Sequence, residues 1–259
     1  MSKGDKTYND FRLDPPENFR NAFSHFYFAE NYSDAPIRKT LLPSYQTILV
    51  FNFGHKAILH SDKGTNIKVD KYVLLGPIKK AFDYSLPTGS KILVAVFKDD
   101  AFYRFFGSTP RAESRSISLD ELVEEDCFTT LWSLLDKIKN PEDQLKCILA
   151  YCKPYLKEPS PIFEKIVAFD KKGLSSIKST ALLLSQTERA VQINYKKRTG
   201  HSAKELTRSQ RFLTAIRMIQ EWSVQSNKIN WFEIIERCGY YDQSQLIHDF
   251  QHYLRLSPT

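Results

Sequence analysis

No run in this 259-residue chain approaches the roughly 18 apolar residues that a membrane span needs. Residues 1–10 are polar and lack the apolar core of a secretion signal, so a cytoplasmic protein with no membrane partner is expected. Cysteine is scarce. Cys127, Cys147, Cys152 and Cys238 form no CxxC pair, which removes the usual zinc and dithiol motifs and leaves free thiols in expected helices. His25, His55 and His60 are the histidines of the N-terminal half, and no two have the His-x-His spacing of a cupin-type metal site. Neither a P-loop, nor a dinucleotide fingerprint, nor a Ser-His-Asp order is present. No metal, cofactor or catalytic group is therefore expected, and a metal-dependent barrel enzyme is the weakest alternative.

What the chain does have is an uneven charge. Its net +7 resolves into 15 Lys and Arg against 9 Asp and Glu from Pro161 to Thr259, and 22 against 21 before that. A basic half attached to a neutral one points to a polyanion partner for the C-terminal part. An apolar share of 42% suits a folded protein, and the length suits two domains.

The pattern divides the chain into four parts. Residues 1–18, polar and carrying Pro15-Pro16, read as a flexible arm. Residues 19–112 read as a β-rich regulatory domain, a small barrel or jelly roll. Gln46 to Phe53 is a strand candidate ending at Gly54-His55, with Ala57 to His60 returning as its hairpin partner and Ser61 to Gly64 as a turn. Lys71 to Gly76 and Lys91 to Phe97 are further strands. Asp99-Asp100 then caps a short helix reaching Phe106. Residues 113–158 form a helical hairpin, a candidate dimerisation segment. Leu119, Leu122, Val123, Phe128, Leu131, Leu135 and Ile138 recur at helical spacing until Asn140-Pro141, and Leu145, Ile148, Leu149 and Cys152 follow. The overall class is α+β.

Residues 159–259 read as two helix-turn-helix units joined by one basic helix. The first unit runs from about Ile177 to Arg198 and the second from about Asn230 to Tyr253. Ser185 with Glu188, Ser202 with Glu205, and Asp242 with Gln245 have capping-box spacing. In the first unit Val191 and Tyr195 face a small core, while Arg189, Gln192 and Lys196 share the opposite face. Arg and Gln match guanine and adenine edges in the major groove. In the second, Leu246, Phe250 and Tyr253 form the core stripe, leaving Gln243, Ser244 and His248 outward near the helix start, where bases are usually read. The joining helix, about Ala203 to Trp222, carries Leu206, Leu213, Ile216 and Ile219 on one face. Lys204, Arg208 and Arg211 lie on another, suited with Lys197 and Arg198 to phosphate contact. Its length of roughly 30 Å approaches one turn of B-DNA. A polar helix face is more often solvated surface than a reading surface; the duplication favours reading.

Two stretches, Leu184 to Ser202 and Cys238 to Phe250 with Leu256-Ser-Pro258, resemble the DNA-binding domain of the AraC/XylS family of bacterial transcription regulators. The second is the more specific, through Gly239-Tyr240-Tyr241-Asp242-Gln243-Ser244. The resemblance implies base contacts from Arg189, Gln192 and Ile193 in the first unit, and from Gln243, Ser244 and His248 in the second. Ile193 stands where many members place Arg. Gln251 and His252 replace a Lys-rich stretch, Asp249 adds a negative charge, and Arg255 takes a usual Gly position. The N-terminal half is more loosely similar to the family's β-rich sensor domains. That implies a small-molecule or protein effector, a homodimer, and a candidate effector pocket at Phe51, Phe53, Tyr72, Phe82, Tyr84 and Phe97, against the alternative that these rings fill the core. The function expected is sequence-specific binding of double-stranded DNA in transcription regulation. The alternative is a regulator acting through protein contacts after its second unit lost DNA reading.

Overall fold

The computed structural model describes residues 7–60, 66–109, 127–160, 163–166, 176–224 and 229–258. The expected turn at Ser61–Gly64, the junction residue Pro161, and the helix positions Leu119, Leu122 and Val123 lie outside the described residues.

The N-terminal half holds two facing sheets. One has five strands in the order β1-β2-β9-β4-β7 and the other four in the order β3-β8-β5-β6. Their ranges are β1 Tyr8–Leu13, β2 Phe23–Asn31, β3 Ile37–Leu41, β4 Ile48–Gly54, β5 Ala57–Leu59, β6 Ile67–Val69, β7 Tyr72–Leu75, β8 Phe82–Leu86 and β9 Ser90–Phe97. Both sheets are open among the described residues, so the domain is jelly-roll-like and not a closed barrel. All pairings are antiparallel.

Two sequence expectations change here. The arm at residues 1–18 is in part the edge strand β1, paired with β2 from Tyr8↔Asn31 to Leu13↔Phe26. Its alternation explains this: Phe11 stacks on Phe28 with ring centroids 5.3 Å apart, while Tyr8 on the other face bonds Tyr27 at 2.9 Å. The expected hairpin between Gln46–Phe53 and Ala57–His60 does not form either. Strand β4 pairs with β7 and β9, whereas β5 pairs with β6 and β8 in the other sheet. The corner is made by Gly54, whose φ of +93° suits glycine, and by Asn52, whose side-chain oxygen accepts from Ala57 N at 3.2 Å.

Strands β4 and β9 are apolar on both faces because both faces are covered. Leu49, Phe51, Phe53, Leu93, Ala95 and Phe97 face a helical layer, and Ile48, Val50, Ile92, Val94 and Val96 face the second sheet. In β2 a bulge between Phe23 and His25 puts odd-numbered Phe23 on the same side as Phe26 and Phe28. The helical layer is α1 Ala101–Phe106, α2 Cys127–Asp136 and α3 Pro141–Cys152. Asn140 caps α3, accepting from Glu142 N at 2.8 Å, with Pro141 in the first turn. The apolar stripe of the expected hairpin is thus turned inward: Phe128, Leu131, Leu135, Leu145, Ile148 and Leu149 cover the sheet.

The C-terminal half is helical: α4 Ser176–Leu183, α5 Glu188–Thr199, α6 Ala203–Val224, α7 Trp231–Cys238 and α8 Gln243–Leu254. Val191 and Tyr195 of α5 pack with Phe163, Ile166, Ile177 and Ala181 in one small core. Phe212, Ile216 and Met218 of α6 pack with Ile234, Leu246, Phe250 and Tyr253 in another, which Tyr45 of the N-terminal half joins. Leu213, expected on the core stripe of α6, instead faces the sheets.

Candidate functional site

Both helix pairs have their expected boundaries, but the caps differ in detail. Thr187, not Ser185, caps α5, accepting from Ala190 N at 3.2 Å; Ser185 takes a positive φ of 51° in the turn and cannot begin the helix. For α6 the full box forms, Glu205 N to Ser202 Oγ at 3.1 Å and Ser202 N to Glu205 Oε2 at 2.7 Å. At α8, Asp242 accepts from Gln245 N at 2.8 Å, while Gln245 Oε1 accepts from Tyr241 N, one residue earlier than the box predicts. The C-terminus of α8 is closed by Arg255 itself in the left-handed region at φ 59°, the conformation a glycine would favour.

On α5, Arg189, Gln192, Ile193 and Lys196 are all exposed, opposite buried Val191 and Tyr195. Ile193 is 60% exposed, an apolar side chain held in water on the outward face. On α8, Gln243, Ser244 and His248 are likewise exposed, opposite Leu246 and Phe250. Tyr241, 91% exposed in the turn just before α8, adds an aromatic ring beside them that sequence spacing did not single out.

The cations expected on phosphates separate into two groups. Lys197 and Lys204 are exposed. Arg208 and Arg211 are not available in the same way: Arg208 Nε lies 2.6 Å from Asp249 Oδ1 and Arg211 Nη2 lies 3.3 Å from Oδ2. Asp249 is 1% exposed, and Tyr240 Oη donates to the same carboxylate at 3.1 Å. A buried carboxylate needs paired cations, so α6 gives up two guanidiniums to hold α8. Asp249 is thus buried rather than a surface charge, and Arg208 and Arg211, with 40% and 23% of their side chains exposed, are paired to it.

Arg198 is also committed elsewhere. Its Nη1 is 3.2 Å from Asp100 Oδ2, and its guanidinium lies 4.9 Å from the centre of the Tyr103 ring. The side-chain cap expected of Asp100 at α1 does not form; its other oxygen takes Arg104 Nε at 3.1 Å. Thr109 Oγ1 adds bonds to the carbonyls of Lys197 and Arg198, at 2.8 and 3.0 Å. The end of α5 is therefore docked on the N-terminal half.

Other contacts extend this seam. Lys79 Nζ bonds Glu205 Oε1 at 3.0 Å, and Ala81 N donates to the Tyr253 carbonyl at 2.9 Å. Burial pushes Glu205 up, but the Ser202 backbone N–H and Lys79 outweigh it and hold the carboxyl at about 2. His201, edge-on to both Tyr45 and Tyr195, is pushed down to about 4 by burial.

Between the two sheets lies a chamber of about 520 Å³. Ile48, Val50, Leu59, Phe82, Val94 and Val96 line its apolar part, and Leu213 of α6 reaches it. Asp10, Arg12, His25, Tyr27 and Lys39 supply polar groups. Tyr27 Oη donates to Asp10 at 2.9 Å and Lys39 Nζ bonds the same carboxylate at 2.9 Å, which keeps Asp10 below its ordinary value. Burial, then the charge of Arg12, lowers His25. The six aromatics expected to share one pocket do not. Phe82 and Tyr84 line this chamber, whereas Phe51, Phe53 and Phe97 are on the opposite face of the five-stranded sheet with Tyr72 packed against them. Side-chain period two on β4 and β9 separates them.

No family model matches this chain, and no curated protein does. Solved structures do. The chain is similar to the crystal structure of ToxT from Vibrio cholerae O395, at 12% identity and a TM-score of 0.41, over 90% of this chain and 95% of that one. It is similar to the structure of wild-type ToxT from Vibrio cholerae strain SCE256 with bound unsaturated fatty acid, at 12% identity and 0.37, over 87% and 94%. It is also similar to the AraC-like transcriptional activator CuxR, at 8% identity and 0.30, over 80% and 86%.

Of the residues singled out by sequence, the structure gathers Arg189, Gln192, Ile193 and Lys196 on one outward face and Gln243, Ser244 and His248 on another. It withdraws Arg198, Arg208 and Arg211 into ion pairs. Asp10, Lys39 and His25 carried no motif and meet only because β1, β2 and β3 do. Among the described residues, no three or more His, Cys, Asp or Glu side chains gather as a metal site, and no helix is long and apolar enough to cross a membrane.

Proposed function

We propose that this chain is a sequence-specific DNA-binding transcription regulator of the AraC/XylS type, carrying an effector chamber in its N-terminal half. The observation that carries the reading is the pair of exposed polar helix faces, on α5 and α8, each backed by its own small core and joined through the single helix α6. Base reading rests on Arg189 and Gln192, with Lys196 beside them and Gln243, Ser244 and His248 as the second set. Phosphate binding rests on Lys197 and Lys204. The first unit supplies most of the affinity, since two cations of α6 are bound to Asp249.

The effector is a mainly apolar molecule with a polar or anionic end. The chamber is of ligand size and largely apolar, and of its two cations Lys39 is paired with Asp10, which leaves Arg12 for that end. Leu213 lets such a ligand touch the bridging helix directly. The α2–α3 layer is the candidate dimer surface, with half-exposed Leu134 outward.

The test is selection of binding sites from a random DNA library by the full chain, followed by gel-shift titration at several salt concentrations. A consensus with affinity falling steeply with salt supports the reading. If Arg189→Ala and Gln192→Ala leave affinity for the selected site unchanged, the first reading helix is misassigned. The second reading, action through protein contacts, is favoured by Phe232 on α7 and Tyr241, 85% and 91% exposed. Absence of any sequence preference at any salt would select it.

A further inference from the structure

The five-stranded sheet is a wall shared by two cavities. Val94 and Ala95 are neighbours on β9, yet Val94 faces the inter-sheet chamber and Ala95 faces the helical layer. On that second side lies a cavity of about 140 Å³. Leu49, Ala95 and Phe97 form its floor, Phe105 and Phe106 of α1 one wall, and α2 and α3 its roof through Leu131 and Ile148. Tyr155, 53% exposed just beyond α3, stands at its outer end.

We propose that this cavity is a binding site for a compact, uncharged, single-ring aromatic molecule, separate from the effector chamber. Size is the first argument. An apolar cavity of about 150 Å³ in a protein core stays dry and takes up benzene. The walls are the second. Phe97 lies 5.2 Å from Phe23 and 5.9 Å from Phe105, the latter at 69°, so the lining rings form one cluster set at different angles. A bound ring gains the offset and edge-to-face contacts that aromatic pairs prefer.

Chemistry supplies the third argument. Among the described residues, no charged side chain lines the cavity. The Tyr151 hydroxyl is already used, donating to the Cys127 carbonyl at 3.0 Å. The remaining heteroatoms of the roof include the sulfurs of Cys127 and Cys152, soft groups that pack well on ring edges. Burial pushes the Cys152 thiol up to about 12, so it stays neutral. A carboxylate or ammonium entering here would lose its hydration without a partner. The inter-sheet chamber, lined by Asp10, Arg12 and Lys39, suits a ligand with a polar or charged end. A ring bound here touches the sheet and α2 and α3 together, which makes the helical layer a second point of entry for a chemical signal.

The test uses the full chain with benzene as probe, and cyclohexane and benzoate as comparators. Methyl NMR is expected to show saturable shifts at Leu131 and Ile148 with benzene, weaker shifts with cyclohexane and none with benzoate. Ala95→Leu from the floor and Leu131→Phe from the roof are each expected to weaken benzene binding by about tenfold or more, whereas Val94→Leu leaves it within about twofold. In the unmodified chain, saturating benzene is expected to raise the urea midpoint of unfolding, a readout that needs no variant. The proposal is overturned by unsaturable or absent benzene shifts, by benzoate or cyclohexane binding as well as benzene, or by an unchanged urea midpoint at saturating benzene. Loss of binding in Val94→Leu with retention in Ala95→Leu also overturns it, because the ring would then sit between the sheets.

Discussion

The carboxylate of Asp100 lies 3.2 Å from Arg198, 98 residues later in the chain, and ties the last turn of α5 to the start of α1. Asp100 and Arg104 are each 2% exposed at the side chain, while Arg198 keeps 22%. Removing the acid leaves the buried Arg104 guanidinium without a counter-charge, holding only the Lys157 and Asn21 carbonyls. Asp100→Ala is expected to cost about 3–5 kcal/mol, and Arg198→Ala clearly less. Urea denaturation of the full chain measures both; equal and small costs would contradict the asymmetry.

Asp249 holds Arg208, Arg211 and Tyr240 in the second unit. Asp249→Ala is expected to destabilise the chain by about 1–3 kcal/mol, since three hydrogen bonds to the carboxylate are lost while Arg208 and Arg211 can turn to water. Near-ultraviolet circular dichroism during unfolding follows the packing of Tyr240 and Tyr253. A loss below about 1 kcal/mol would mean that the cluster is solvated in solution.

Gly200 closes α5 at φ +77°, and a Cβ placed there would meet Pro77 Cγ at 2.8 Å and Thr109 Cγ2 at 3.0 Å. Gly200→Ala therefore adds strain in a left-handed residue to a clash between the two halves of the molecule. A loss of about 1–3 kcal/mol is expected, read as a lower urea midpoint. Gly239 has a similar φ of +72° with nothing close to its added Cβ, so Gly239→Ala is expected to cost less.

Burial holds His201 at about 4 in the folded chain, below its ordinary 6.5. Between those values the unfolded chain binds more protons, so stability present at neutral pH falls as the pH drops from about 6.5 to 4. The full effect is on the order of 3 kcal/mol. Glu205, held at about 2, adds a further loss below its ordinary 4.5. Denaturation at pH 7, 5.5 and 4.5 is expected to give a steep fall that flattens in His201→Phe. An unchanged slope in that variant would place the titration elsewhere.

Lys204 and Arg208 are four residues apart on α6 but differ in what they touch. Under the DNA-binding reading, Lys204→Ala lowers the salt slope of binding by about one unit, while Arg208→Ala lowers stability and leaves the slope nearly intact. Gel shifts across a salt series separate the two. A reduced slope in Arg208→Ala alone would mean that this side chain leaves Asp249 for phosphate.

Helical spacing, the Ser202–Glu205 box and charge segregation were local, and so they were legible, whereas the caps expected at Ser185 and Asp100 did not form. Val191 and Tyr195 against Arg189 and Gln192, Leu246 and Phe250 against Gln243 and Ser244, and the box of Ser202 with Glu205 are relations within a few residues, where backbone geometry alone decides which side chains share a face. The apolar strands β4, β7 and β9 were legible for the same reason, although their partners were not. Strand pairing joins distant residues and depends on corners such as Asn52–Gly54, for which spacing gives no rule.

The feature decided only by tertiary structure is how each charge and ring is spent. Asp249, Arg208 and Arg211 read as three surface charges until α8 packs on α6; burial then makes their pairing obligatory. Arg198 reads as a helix-end cation until Asp100 meets it. Six aromatics read as one pocket until alternation along β4 and β9 sends Phe51, Phe53 and Phe97 to the helices and the inter-sheet side keeps Phe82 and Tyr84. Sequence by itself determined the two helix pairs, the α+β division and the outward polar faces of α5 and α8, because those follow from periodicity. Which groups remain free to meet a ligand followed from long-range packing, because burial decides whether a polar group must find its partner inside the protein.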